Sequence, residues 1–316
     1  MEPVPMGQAK STEPVPPAGA HGGDVVAVAR ALGVEPSQMV DLSVSLNPYA
    51  PDVFKLAARH LEELGRYPDT RYATALLAEA VGVEAERILL TNGGSEAIAL
   101  VCHHMRRAAV PQPEFSLYAR HLEKVVDPDE EPSAPVIRSN PNNPTGRLAG
   151  AEERAEVWDE AFYPLATGTW TRGEGTVVGS LTKVFACPGL RLGYLMGEAE
   201  LIERLSARQP RWAVNPLAAG LLPDLLERAE LPAWRDAIAE AREALTRALP
   251  GVLPSDAPYV LVEAPGGAAA TRARLARRGV LVRDCTNFGL PGHVRIAVPD
   301  QEGLKRLLKA WQTMDG

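Results

Sequence analysis

Cysteine is scarce in this chain. The three present, Cys102, Cys187 and Cys285, stand far apart and form no CxxC pair, which excludes a disulfide framework and a zinc site of the usual spacing. A reduced, cytoplasmic setting is the simplest reading of that usage. Long hydrophobic runs are missing as well: none approaches the ~20 apolar residues that span a bilayer. The opening stretch MEPVPMGQAKSTEPVPPAGA lacks the apolar centre of a signal peptide. No basic patch occurs either. Lys and Arg total 33 against 40 Asp and Glu, a net charge of −7 with the signs interspersed, so the footprint of a nucleic-acid binder is absent. His103 and His104 are sequence neighbours that point in different directions on a helix, so they read as surface or packing residues and no metal site is expected.

What is there reads as a soluble globular protein. At 316 residues, 46% hydrophobic and 23% charged, the chain is long enough for a large domain plus a smaller one. Residues 1–20, rich in Pro and Ala without periodicity, are expected to form a flexible arm. Residues 21–50 are expected to pack with the small domain, 51–215 to form the large domain and 216–316 the small one. In the large domain, apolar strands alternate with helices: ILLT before a glycine pair and a helix, APVIRS before a Pro/Asn turn, AEVWDEAF, then GTVVGSLTK. This alternation predicts an α/β fold with a mainly parallel sheet covered on both faces. From about residue 216 the pattern changes to a long helix, three short strands and a closing helix, an α+β unit.

The polar clusters sit at predicted strand ends, where α/β sheets bind ligands. TNGGSE, with Gly94 and Ser95, either cradles an anion at a helix start or merely permits a tight turn. Asp159, an acid at a buried strand end, would pair with a protonated ring nitrogen, a helix start or a basic side chain. Asn143 in NPNNPTG is an ordinary turn former that could also donate to a phenolate oxygen. Phe115 could stack on a flat ring or fill the core. Lys183 ends an apolar strand, where desolvation makes a lysine a nucleophilic amine. Arg191 and the hydroxyls of Ser180 and Thr182 suit a phosphate. Taken together, these groups describe a cradle for pyridoxal 5′-phosphate.

HGGD, SLNP, YPD, NGGSEAI, SNPNNPTGRL, DEAF, SLTK…PGLRLGY, WAVNPLA and VRDCTNFGL…VRIAV run in that order from His21 to the C-terminus. In this the chain resembles the fold-type I pyridoxal-phosphate enzymes of aminotransferase class I/II. SLTK and NPNNPTG are specific for that broad class. HGG and RDCTNF look most like the threonine-phosphate decarboxylase branch, a near relative of the histidinol-phosphate aminotransferases, and Phe162 of DEAF stands where the latter have tyrosine. The resemblance implies that Lys183 bonds the cofactor, Asp159 pairs with its ring nitrogen, Asn143 donates to its hydroxyl oxygen and Phe115 stacks on its ring. It also implies that Gly94, Ser95, Ser180, Thr182 and Arg191 hold its phosphate. Tyr67 is then expected to reach the phosphate of a neighbouring subunit in a homodimer, Arg295 to bind the substrate carboxylate, and His21, Asn47 and Arg283 to lie near the substrate's own phosphate. The stretches from Phe115 to Asn143 and from Gly146 to Asp159 are shorter than the family pattern. Each is expected to lack part of a helix or strand, with HLEKVVDPDEEPSAP a surface loop.

The reaction expected from this resemblance is decarboxylation of L-threonine O-3-phosphate. The runner-up is an aminotransferase acting on histidinol phosphate or a similar phosphorylated amine. A ligand-binding relative without catalysis is a third reading, against which the presence of Lys183, Asp159 and Asn143 argues.

Overall fold

Short aliphatic runs that stop at polar clusters become strands whose ends share an edge. The computed structural model describes residues 14–19 and 21–314. These residues contain eleven strands: β1 Val40–Leu42, β2 Ile88–Asn92, β3 Arg107–Ala109, β4 Lys124–Val126, β5 Ile137–Ser139, β6 Val157–Asp159, β7 Thr176–Gly179, β8 Leu192–Met196, β9 Tyr259–Glu263, β10 Val280–Asp284 and β11 His293–Ala297. They divide into two compact units. The large unit is Leu46–Asn143 with Arg147–Ile238; the small one holds the residues up to Ser45, Pro144–Gly146 and those from Ala239 on. The sequence expectation put these divisions at 50 and 215. The later one moves because the helix Pro216–Glu227 packs on the helix Arg71–Val81 of the large unit.

In the large unit the strand order is β2-β8-β7-β6-β5, with β5, β6 and β7 parallel and β8 antiparallel to both its neighbours. β6 and β8 are buried along their whole length, which is why they read as unbroken apolar runs. Ile98, Val101, Ile137, Val157, Val178 and Leu195 share one core cluster that joins the helix Gly93–Met105 to the sheet. The KVV of the expected surface loop forms β4, parallel to β3, and β3 in turn meets β5's edge through a bridge from Ala109 to Val136. The segment between β5 and β6 contains no helix, although parallel neighbours are usually joined by a helical crossover. Two side chains substitute for it. On the face shared by the register partners Arg138 and Trp158, Glu153 accepts from Arg138 at 3.3 Å and the Arg172 guanidinium lies 4.9 Å from the Trp158 ring.

The small unit has the order β1-β10-β11-β9. Val260, Val282, Val294, Ile296, Leu307 and Trp311 form its core, and the helix Gln301–Gln312 starts where Asp300 Oδ1 accepts from the Gly303 N–H at 2.7 Å. Residues 14–19 of the expected flexible arm are packed here. Val15 joins the cluster of Val28, Leu32 and Leu281, and Arg272 and Arg283 donate to the carbonyls of Pro16 and Gly19 at 2.7 and 3.0 Å. The rest of that arm, 1–13 and Ala20, lies outside the described residues. No helix among the described residues is long and apolar enough to cross a membrane.

Candidate active site

Parallel pairing brings the ends of β5, β6 and β7 to one edge, with Ser139 opposite Asp159 and Asp159 opposite Val178. Because β8 runs the other way, its first residue, Leu192, stands at that same edge opposite Asn92. The residues that follow β2, β5, β6 and β7 and precede β8 therefore converge, which is where the ligand site of such a sheet forms.

Gly93, at φ +76°, opens the helix Gly93–Met105. A Cβ on it would lie 2.5 Å from Arg191 Nη2, so the guanidinium rests directly on the helix start. A Cβ on Gly193 would meet the Gly93 carbonyl carbon and the Gly94 nitrogen at 2.5 Å, and one on Gly94 would lie 3.7 Å from Ser180 Cβ. Arg191 itself is held at φ 54°, an uncommon conformation for a side-chain-bearing residue. Helix-start N–H groups, a guanidinium and the buried Ser180 thus make a cradle for an anion. Ser95 is exposed in the helix's first turn. Thr182, expected among the phosphate donors, is engaged by main chain instead. Its hydroxyl donates to the Leu192 carbonyl at 3.0 Å and accepts from the Leu192 N–H at 3.2 Å, closing the turn that carries Arg191.

Asp159 is buried at the end of β6. Its Oδ2 accepts from the Tyr118 hydroxyl at 2.8 Å and its Oδ1 from the Ala161 N–H at 3.0 Å. Burial pushes its carboxyl up, against the pull of those two donors and of the Lys183 charge. A carboxylate in that position gains by taking a further cationic partner. Lys183 is half-buried on the single-turn helix Leu181–Val184, beyond the end of β7, with Nζ 5.8 Å from the Phe162 ring centre. Asn143 is buried and donates its N–H to Ser139 Oγ at 2.8 Å. Phe115 is half-buried, edge-on to Tyr118 with ring centres 5.9 Å apart. Asn47 departs from expectation. Its side-chain amide donates to the Val184 carbonyl at 2.9 Å, and its N–H donates to the Lys183 carbonyl at 3.1 Å. It holds the backbone of the lysine turn and is not assigned to a substrate phosphate.

In the small unit Arg283 and Arg295 are direct register partners across β10 and β11. Arg283 donates to Asn287 Oδ1 at 2.9 Å, Arg295 to the Ser43 carbonyl at 3.4 Å, and the Arg295 guanidinium lies 4.7 Å from the Tyr259 ring centre. His21 is exposed on the HGG segment, which is seated on Ser43: Gly23 donates to Ser43 Oγ at 2.9 Å, and a Cβ on Gly22 would meet the Ser43 carbonyl oxygen. Tyr67, in the large unit, is exposed, with its ring 4.5 Å from that of Trp212. Two buried groups were absent from the sequence expectations, Tyr118 and Glu114. Tyr118 had a usable signal, since it follows Phe115 by three residues at a helix start; Glu114 had none.

Residues 102–310 match the family described as aminotransferase class I and II. The chain is 32% identical to histidinol-phosphate aminotransferase 2 of Archaeoglobus fulgidus over 86% of its own length and 92% of that protein's. It is 31% identical to the threonine-phosphate decarboxylase of Salmonella typhimurium, over 92% and 95% respectively. Among solved structures it is similar to a putative aminotransferase from Burkholderia pseudomallei, with a TM-score of 0.75 at 27% identity, covering 87% of this chain and 98% of that one. The chain belongs to the aminotransferase class I and II family, with its type I fold. Its cofactor is that of the family, pyridoxal 5′-phosphate. The site fits this group: the glycine cradle with Arg191 suits a phosphate, and the buried Asp159 suits a protonated ring nitrogen.

Proposed function

We propose that this chain decarboxylates L-threonine O-3-phosphate to (R)-1-amino-2-propanol O-2-phosphate. The observation that carries the reading is the pairing of Arg283 with Arg295. The two are 3% and 7% exposed. Burial, then the neighbouring Arg295 charge, lowers the Arg283 guanidinium to about 10, which leaves it cationic at neutral pH. Like charges directly opposite each other on a sheet repel; Asp284 and Asp24 offset part of this at Arg283, and a ligand with two anionic groups would offset more. Threonine phosphate brings a carboxylate and a phosphate; histidinol phosphate brings a phosphate alone. We assign the carboxylate to Arg295 and the phosphate to Arg283 with His21.

Pyridoxal phosphate, when bound, supplies the electron sink that accepts charge from the substrate α-carbon. The chain's own residues do the rest. Gly94, Ser95, Ser180 and Arg191 hold the cofactor's phosphate, Asn143 donates to its hydroxyl oxygen, and Phe115 covers its ring. Asp159, kept in place by Tyr118 and the Ala161 N–H, holds the proton on the ring nitrogen. Lys183 Nζ would hold the cofactor and, once its amine is free, would supply the proton that replaces CO2 at the substrate α-carbon. Arg295 selects the bond that breaks by setting the direction of the carboxylate. The apolar Phe162 ring beside Lys183 supports the decarboxylase reading, because it offers no hydroxyl there.

We also infer a homodimer in which Tyr67 reaches the partner's cofactor phosphate. The exposed large apolar side chains Phe54, Leu61, Leu64, Tyr67, Tyr72 and Trp212 support an interface on the large unit. A second reading, transamination of histidinol phosphate or a similar phosphorylated amine, is favoured by the aminotransferase relatives and keeps every cofactor contact. The deciding experiment supplies L-threonine O-3-phosphate without any 2-oxo acid and follows CO2. Many turnovers support decarboxylation. No CO2, together with 2-oxoglutarate-dependent turnover of histidinol phosphate, overturns it.

A further inference from the structure

We propose that Glu114 is a positioning residue that locks the spacing between Phe115 and Asn143, on which the grip on the cofactor ring depends. This rests on the reading above, in which those two residues contact the ring. Glu114 is 3% exposed, and both its oxygens are saturated. Oε1 accepts from the Ser139 N–H at 2.7 Å and from Asn142 Nδ2 at 3.2 Å. Oε2 accepts from Ser139 Oγ at 2.6 Å and from the Phe115 N–H at 3.0 Å. The Ser139 hydroxyl in turn accepts from the Asn143 N–H at 2.8 Å. An unbroken hydrogen-bonded path therefore runs from the Phe115 backbone through Glu114 and Ser139 to the Asn143 backbone.

The two segments also meet through apolar packing, with Val110, Leu117, Tyr118 and Ile137 in one core cluster. Phe115 follows β3, Asn143 follows β5, and between those strands the ladder is a single bridge from Ala109 to Val136. The second link, from Asn142 Nδ2 to the Pro113 carbonyl at 3.0 Å, uses the same loop. Burying a carboxylate is costly unless donors surround it, and burial pushes this carboxyl up to about 7 in spite of four donors. Core packing alone would be served better by an apolar side chain, so the retained acid is explained by what it ties together.

The test compares apoproteins of the wild type, Glu114→Gln, Ser139→Ala, Ser139→Thr and the double variant Glu114→Gln/Ser139→Ala. Two quantities are read: the Kd for pyridoxal phosphate by absorbance titration, and the Tm of each apoprotein without cofactor. Glu114→Gln and Ser139→Ala are each expected to weaken the cofactor by about tenfold, as loss of hydrogen bonds to a charged group implies. Ser139→Thr, which keeps the hydroxyl, should bind like the wild type. The double variant should bind no worse than the weaker single, because both break one path. A lowered apoprotein Tm with an unchanged Kd in Glu114→Gln overturns the proposal, as does a double variant whose effects multiply. If Glu114→Gln fails to fold, Ser139→Ala decides alone, and an unchanged Kd there overturns it. Asn143→Ala and Phe115→Ala guard the underlying reading. If neither changes the Kd, the assigned ring contacts are wrong; if both weaken it and Glu114→Gln does not, only the role of Glu114 falls.

Discussion

The Tyr118 hydroxyl donates to Asp159 Oδ2 at 2.8 Å, inside the core of the large unit. Burial pushes the Asp159 carboxyl up, and Tyr118 is the first of the groups that pull it back. Tyr118→Phe removes that donor and leaves the rest of the ring to fill the core. A hydrogen bond to a charged group is worth roughly 1.5–3 kcal/mol, so pyridoxal phosphate should bind about ten- to a hundredfold more weakly. Titrating the variant apoprotein with cofactor checks this. Wild-type affinity would reduce Tyr118 to a packing residue.

That Asp159 ends a strand and that Asn143 and Lys183 lie a few residues beyond one was legible, because short apolar runs bury as strands with polar residues gathered past their ends. The change of pattern near 216 was visible too, but the helix Pro216–Glu227 that begins there packs in the large unit, which runs to Ile238. Thr182 and Asn47 look like ligand donors in sequence, yet both bond to nearby main chain, at Leu192 and Val184. No sequence pattern distinguishes a hydroxyl or amide that closes a turn from one that faces a ligand. Glu114 and Ser139 are separated by 25 positions, and nothing in either stretch announces that they meet. β4 was hidden because KVV is too short to display an alternation; its pairing with β3 defines it.

Glu160 gives the protein a measurable pH dependence of stability. It is buried, both its oxygens accept from the Arg172 N–H at 3.2 Å, and burial raises its carboxyl from 4.5 to about 7. A raised acid means that the folded state holds the proton more tightly than the unfolded chain does. This contribution is present in full below the unfolded value and is lost as pH rises towards about 7. The shift corresponds to about 3 kcal/mol at most. Urea unfolding of the apoprotein at pH 5 and pH 8 should therefore show a smaller loss for Glu160→Gln than for the wild type. Equal losses would mean that Glu160 is not the titrating group.

Lys183→Ala should abolish the near-visible absorbance of the purified protein and nearly all turnover, because Lys183 is the amine assigned to attach the cofactor. A wild type that stays colourless with added pyridoxal phosphate would leave the non-catalytic binding reading standing.

The dimer can be tested through complementation. Tyr67 is 77% exposed and Phe54 91%, so neither is held by the core of its own chain. Phe54→Asp with Leu64→Asp should shift the sedimentation mass towards one chain. Lys183→Ala and Tyr67→Phe proteins, mixed and allowed to exchange subunits, should regain activity, because one heterodimer site carries both intact residues. Failure to regain it, with exchange confirmed, would confine Tyr67 to its own subunit or to a structural role.

In the proposed reading the arginine pair would separate the two anionic groups of the substrate. If Arg283 receives the phosphate and Arg295 the carboxylate, their variants should fail differently. Charge-assisted contacts are worth roughly 1.5–3 kcal/mol each, so Arg283→Gln should raise the apparent KM for L-threonine O-3-phosphate by about tenfold or more. It should change little for unphosphorylated threonine, which has nothing to offer that guanidinium. Arg295→Gln should weaken both substrates, because both carry the carboxylate. It should also lower kcat for CO2 release, because the bond to be broken is no longer held in its selected direction. An Arg295→Gln protein with unchanged kcat would mean that the carboxylate is oriented by another group, whatever its effect on KM. Equal losses on threonine and its phosphate in Arg283→Gln would remove the phosphate from Arg283, and with it the reason to prefer a dianionic substrate.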